Sequence, residues 1–196
     1  MKISQDYFEN KDVLFLAEDL LGKYIFTLFD GQITGGIITE TEAYRGITDR
    51  ASHAFNGRRT QRNEVMYARG GILYVYLCYG IHHLSNIVTN KEGIPDAILL
   101  RAIVPTHGEE LILKRTGKSK ITPDILVGPG KLSKGLGIST AMNGLAIGSE
   151  KIWLEDRKME VNKNNISKLP RIGVEYAAED ALLPYRFVLA HEHFLK

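Results

Sequence analysis

The chain holds a single cysteine, Cys78, in 196 residues. One thiol can close no intrachain disulfide and build no cysteine-rich zinc cage, which excludes small disulfide-stapled scaffolds and points to a reducing interior or to no dependence on redox state. Long apolar runs are missing too. Nothing approaches the roughly 20 residues of a membrane span, and the opening Met1-Lys2-Ile3-Ser4-Gln5-Asp6 is polar and soon acidic. The expectation is a soluble, unprocessed protein without signal peptide or membrane segment. No H-E-x-x-H, C-x-x-C, G-x-S-x-G or Walker A motif occurs, so metalloprotease, redox, serine-hydrolase and P-loop chemistries lack support. An excess of one charge is also lacking, since 25 Lys+Arg face 23 Asp+Glu for a net +2.

What is present is ordinary globular material, with 44% hydrophobic and 24% charged residues. No repeat, low-complexity tract or linker divides it, so one domain over residues 1–196 is expected. The near-neutral total hides an asymmetry. Residues 1–50 carry 5 Lys+Arg against 9 Asp+Glu, residues 51–137 carry 12 against 6, and residues 138–196 carry 8 against 8. A basic middle third suits a face that meets phosphate, although a solvated lysine face produces the same pattern.

Local signals predict the elements. Asn10-Lys11-Asp12 offers caps for an amphipathic helix through Val13, Leu16, Ala17, Leu20 and Leu21, which Gly22 ends. Lys23–Phe29 and Gln32–Tyr44 read as strands around an Asp30-Gly31 hairpin turn. A loop from Arg45 to Gly71 precedes strands at Ile72–Tyr79, His83–Thr89 and Ala97–Val104. Helices are expected near Gly108–Thr116 and Lys131–Ile138, and short strands near Ile152–Glu155, Arg171–Glu175 and Arg186–Ala190. Hairpins without βαβ alternation predict an α+β class: a mainly antiparallel, curved sheet with peripheral helices.

Several residues could carry chemistry. On an extended strand Glu40, Glu42 and Tyr44 share one face, with the carboxylates about 7 Å apart. Such a pair can divide general acid and base roles or bind a hard cation, and an exposed acidic strand end looks the same. His53 begins a segment holding Arg58, Arg59 and Arg62, forked donors suited to phosphate. Tyr67, Tyr74, Tyr76 and Tyr79 crowd one window; Tyr74 and Tyr76 share a face as core or pocket wall, whereas Tyr79 beside Gly80 falls at a turn and could project as a wedge. Asn86 and Arg101 sit among apolar strand residues and require partners. Gly128-Pro129-Gly130-Lys131 fits a helix N-terminus that attracts anions.

Together these segments resemble the alkyladenine (3-methyladenine) DNA glycosylase family. The resemblance rests on Ile38-Thr39-Glu40-Thr41-Glu42-Ala43-Tyr44, on His53 with Arg58–Asn63, and on Leu73–Gly80 with Asn86. It continues through Leu99–Ala102, Gly128–Leu132, Pro170–Val174 and Pro184–Phe187, in family order along nearly the whole chain. It implies a monofunctional purine glycosylase that flips alkylated or deaminated purines out of duplex DNA. By similarity Glu42 is the general base. Tyr44, His53 and Tyr76 enclose the base, Asn86 excludes the 2-amino group of guanine, and Arg101 holds the flipped nucleotide and nearby water. Tyr79 is the wedge, with Arg58, Arg62 and Lys131 on the DNA. The resemblance implies damaged double-stranded DNA as the partner, no cofactor or metal, a monomer, a cytoplasmic, nucleoid-associated location if prokaryotic, and a compact form without the mammalian N-terminal extension. Two other readings of the residues stay open: a glycoside hydrolase using Glu40 and Glu42, and a module that binds distorted DNA without reaction.

Overall fold

The structure is a computed structural model that describes residues 1–9 and 11–190. Helix α1 (Val13–Asp19) is capped by Asp12, whose carboxylate accepts from the N–H groups of Leu14 and Phe15; Asn10, the other expected cap, lies outside the described residues. Strands β1 (Tyr24–Phe29) and β2 (Gln32–Tyr44) follow, joined by Asp30 and Gly31 at φ 51° and 72°, the left-handed pair that a two-residue hairpin requires. Next come β3 (Leu73–Cys78), β4 (His82–Thr89) and β5 (Asp96–His107), then α2 (Glu109–Thr116), α3 (Pro129–Leu136), β6 (Ile152–Glu155), β7 (Ile166–Leu169) and β8 (Arg186–Leu189).

The eight strands form one sheet in the order β3-β4-β5-β2-β1-β6, with β8 joined to β2 and β7 to β8, and every pairing is antiparallel. The expected α+β class with a mainly antiparallel sheet is what the chain adopts. Strand β2 is central: β5 covers one edge, while the other is shared between β1, on residues 32–37, and β8, on residues 40–42.

Alternation along the strands separates two faces. Leu73 and Val75 of β3, Ile87 of β4, Ile98 and Leu100 of β5 and Ala43 of β2 join the main core, with Leu16 of α1, Ile112 of α2 and Leu132 of α3. Thr41 points the same way and donates to the Ala17 carbonyl of α1 at 2.7 Å. Residues of opposite parity, Tyr74, Val88 and Ala97, pack instead against Ala54, Met66 and Tyr67 of the loop after β2. Helices thus cover one face of the sheet, and the loop covers part of the other.

One expected strand is not formed. Residues 171–175 turn instead: Gly173 has φ 75°, the Arg171 guanidinium is buried against Asp49, and the Ile172 N–H donates to a side chain rather than to a neighbouring strand. The strand in this region is β7, just upstream. Among the described residues no helix is long and apolar enough to cross a membrane.

Gly36 fixes how closely β2 approaches β5, because a Cβ there would meet the Val104 carbonyl oxygen at 2.2 Å. That neighbour is backbone and cannot swing away. Gly36→Ala is therefore expected to destabilise by about 1–3 kcal/mol, read as a drop of several degrees in thermal unfolding; a variant that melts with the wild type refutes the close-approach role.

Candidate active site

The face of the sheet not covered by helices carries a cavity of about 420 Å³ lined by Tyr44, His53, Tyr76, Asn86, Arg101, Lys131, Ile172 and Tyr176, among others. Four strands supply four of these side chains at one parity. Tyr44 comes from β2, Tyr76 from β3, Asn86 from β4 and Arg101 from β5, and cross-strand register sets Asn86 opposite Tyr74 and Leu99. His53 enters from the loop.

The loop is shaped by Asn63, which is buried: its amide donates to the carbonyls of His53 and Arg58, at 3.0 and 2.8 Å, and its oxygen accepts from the N–H and hydroxyl of Thr60. His53 Nδ1 lies 2.9 Å from the Tyr74 hydroxyl, and its ring meets that of Tyr76 nearly edge-on at 4.6 Å between centroids. Burial, aided by Arg62 and Arg58, lowers the His53 pKa below the ordinary histidine value, so the ring is neutral at pH 7. The aromatic wall is thus uncharged.

Behind this wall sits Glu42, with no exposed surface. Its Oε2 accepts from the Tyr44 hydroxyl at 2.9 Å, its Oε1 accepts from the Ile172 N–H at 2.9 Å, and the Arg101 guanidinium approaches Oε1 at 3.3 Å. Burial raises the Glu42 pKa and neighbouring Glu40 adds to it; Arg101, the Ile172 N–H and the Tyr44 hydroxyl oppose the shift, and the balance remains upward. Tyr44 is pushed well above its ordinary value, first by burial and then by Glu42, so it stays a phenol that donates. A carboxylate whose pKa is raised is a stronger proton acceptor than a free one.

Glu40 does share the face of Glu42, as alternation predicts. Its Oε1, however, accepts from Arg101 at 2.9 Å and from Arg186 at 3.0 Å. Neither carboxylate lines the cavity; Arg101, which touches both, does. The division of acid and base roles between two free carboxylates is therefore absent from this arrangement.

Asn86 is held by a 3.1 Å bond from its amide to the Tyr74 carbonyl. Tyr79 is 91% exposed and stands at φ 50° with Gly80 at φ 74°, closing the β3–β4 hairpin through an Ile81 N–H to Cys78 carbonyl bond of 3.1 Å. A bulky residue in the left-handed region is uncommon, and the two-residue hairpin turn requires it here. Lys131 lies in the first turn of α3, whose preceding Gly128 donates to the Arg101 carbonyl at 2.8 Å. Arg58 and Arg62 are exposed beside the cavity without lining it; Arg62 reaches the Leu77 carbonyl at 3.2 Å and lies over the Tyr76 ring. Arg59 is tied up with Glu64.

Sequence patterning missed the opposite rim, formed by Ile172, Gly173, Val174 and Tyr176. It also missed the Arg171–Asp49 pair beneath Tyr44 and the second cation on Glu40, Arg186. The signal available was the Pro170–Val174 block, whose buried arginine reads as a strand residue when its partner is unknown. Among the described residues no cluster of three or more His, Cys, Asp or Glu side chains is arranged to hold a metal ion.

Comparison with known proteins matches residues 7–193 to the methylpurine-DNA glycosylase family. The chain is 45% identical to a protein of Chlamydia abortus, over 95% of this chain and 97% of that one. It is 38% identical to one of Desulfitobacterium hafniense, covering 96% and 95%, and 37% identical to one of Bacillus cytotoxicus, covering 100% and 99%. All three are named as candidate 3-methyladenine DNA glycosylases.

Proposed function

Given that the chain belongs to the methylpurine-DNA glycosylase family, we propose that it acts as one domain on damaged double-stranded DNA, flipping alkylated or deaminated purines from the stack and hydrolysing their N-glycosidic bond. The observation that carries this is the buried Glu42 carboxylate, ringed by Arg101, Tyr44 and the Ile172 N–H behind an aromatic cavity.

In this scheme the purine enters between Tyr44, His53 and Tyr76, in a cavity of small-molecule size. A 3- or 7-alkylated purine is cationic, and the neutral aromatic wall attracts it by cation–π interaction worth about 2 kcal/mol when desolvated. Asn86, fixed by Tyr74, excludes the 2-amino group of guanine. Arg101 holds the flipped nucleotide and the water. The nucleophile is a water held at Arg101, which lines the cavity and lies 3.3 Å from Glu42. Its oxygen bonds to C1′ while its proton passes to Glu42; the N-glycosidic bond breaks with its electron pair leaving on the base, and an abasic site remains without strand cleavage. Tyr79 fills the gap left in the stack, and Arg58, Arg62 and Lys131 contact phosphates. The enzyme works as a cytoplasmic monomer.

Base release from duplexes bearing 3-methyladenine, 7-methylguanine, hypoxanthine or ethenoadenine, followed across pH, tests the proposal. Glu42 must be ionised to accept a proton, so release is expected to rise with pH through its midpoint. Burial raises that midpoint, so the acid limb belongs above the ordinary glutamate value of about 4.3. No release from any lesion overturns the proposal; a flat profile through the acid range overturns Glu42 as the base.

A further inference from the structure

We propose that Arg171 is a positioning residue for the reaction: through Asp49 and the Ala43 carbonyl it fixes the turn after Pro170 so that the Ile172 N–H meets Glu42. This rests on the proposed role of Glu42 as the base.

The geometry is specific. Arg171 is 5% exposed and grips Asp49 with both terminal nitrogens, one at 2.9 Å. The same nitrogens donate to the Ala43 carbonyl at 2.9 Å and to the Asp180 carbonyl at 3.1 Å. One side chain thus ties the loop after β2, β2 itself between Glu42 and Tyr44, and the chain beyond the turn. Asp49 is fixed in turn by the N–H groups of Ala51 and Arg45, at 2.9 and 3.1 Å. The guanidinium carbon lies 4.7 Å from the Tyr44 ring centre and 5.2 Å from that of Tyr185. It therefore backs the ring whose hydroxyl donates to Glu42. Its Nε is buried without a hydrogen-bond partner among the described residues. An orphaned buried donor is unfavourable, so the place of this side chain is set by its other contacts.

The next residue along, Ile172, supplies the only backbone donor to Glu42 among the described residues. A hydrogen bond to the ionised form favours that form. Arg171 also attracts Glu42 directly by its charge; the other groups facing Glu42 are Arg101 from β5, Tyr76 from β3, Glu40 and Tyr44 from β2, and Arg186 from β8 through Glu40. None of them changes sequence when Arg171 does.

The test titrates the Glu42 carboxyl carbon by NMR in the full chain and follows base release over the same pH range. Two variants are used. The pair Arg171→Met with Asp49→Asn removes one charge of each sign, so a folding defect from an unpaired buried charge is avoided, while the direct attraction between Arg171 and Glu42 is lost with the fork. Arg171→Lys keeps the charge and loses the fork. Both are expected to raise the Glu42 midpoint by about one pH unit, the worth of a hydrogen bond to a charged group, with the acid limb of base release moving alongside. An unchanged midpoint in either variant overturns the positioning role, since in Arg171→Lys it would make charge alone the cause. A midpoint that moves while the base-release profile stays put overturns Glu42 as the base, and with it the part of Arg171 in the reaction.

Discussion

Glu42→Gln is expected to slow base release by about 10²–10⁴-fold, the usual contribution of a positioned general base. The substitution is nearly isosteric. The Gln oxygen can still accept from the Ile172 N–H, which lies 2.9 Å from the carboxylate oxygen it replaces, so the cavity keeps its shape. What is lost is the capacity to take a proton. Lesion-duplex binding is therefore expected to stay close to wild type while single-turnover release collapses. Two alternatives predict otherwise. A glycoside hydrolase would act on oligosaccharides and be indifferent to Tyr79, Arg58 and Arg62. A module that binds distorted DNA would bind tightly, release no base in either form, and be unaffected by the change. Equal release rates in variant and wild type would remove Glu42 from the mechanism.

Arg101→Met is expected to be the most damaging substitution for stability, at about 3–5 kcal/mol. The guanidinium is 8% exposed and serves Glu40 at 2.9 Å and Glu42 at 3.3 Å, so its loss leaves a buried carboxylate without its nearest cation. Arg186 still neutralises Glu40, at 3.0 Å; Glu42 has no such substitute and keeps only the Tyr44 hydroxyl and the Ile172 N–H. The sign with pH follows. Glu42 already titrates above its ordinary value in the folded chain; without Arg101 it moves further up. The unfolded chain then gives up that proton at lower pH than the folded one, so the deficit is smallest in acid and grows as pH rises through the carboxylate range. Thermal unfolding at two pH values measures this. Adding Glu42→Gln to Arg101→Met removes the stranded charge and is expected to recover part of the loss, a coupling that independent sites would not display. Recovery of nothing would mean that Arg101 does not stabilise through Glu42.

Much of this arrangement is legible in the chain because it depends on local rules. The Asp30-Gly31 pair fixes the first hairpin, and period-2 alternation puts Glu40, Glu42 and Tyr44 on one face and Thr41 on the other whatever the strands beside them. The same alternation carries Tyr74 and Tyr76 to one wall. What could not be read depends on partners distant in sequence. Arg171 looks like a strand residue until Asp49, 122 positions away, is known to hold it. The donor from Ile172 is a main-chain group and leaves no trace in residue type. Glu40 reads as a free carboxylate because nothing local announces Arg186, 146 positions on. Tyr79 was legible as a turn residue, since Gly80 follows it, but its left-handed backbone is a property of the closed hairpin.

The sharing of one edge of β2 between β1 and β8 also sets an order of events in time. Residues 24–44 can pair with each other as soon as they exist, whereas β8 meets Glu40, Thr41 and Glu42 only after some 140 further residues have been synthesised. The turn that supplies the Ile172 N–H comes almost as late. A nascent chain paused before residue 166 can hold its first hairpin and the β3–β4–β5 ribbon, yet its Glu40 lacks Arg186 and its Glu42 lacks the main-chain donor. Because long loops must close before such contacts form, this corner belongs to the slow part of folding. The surroundings of Glu42 are thus completed near the end of synthesis, and a fragment that keeps most of the sheet does not keep them.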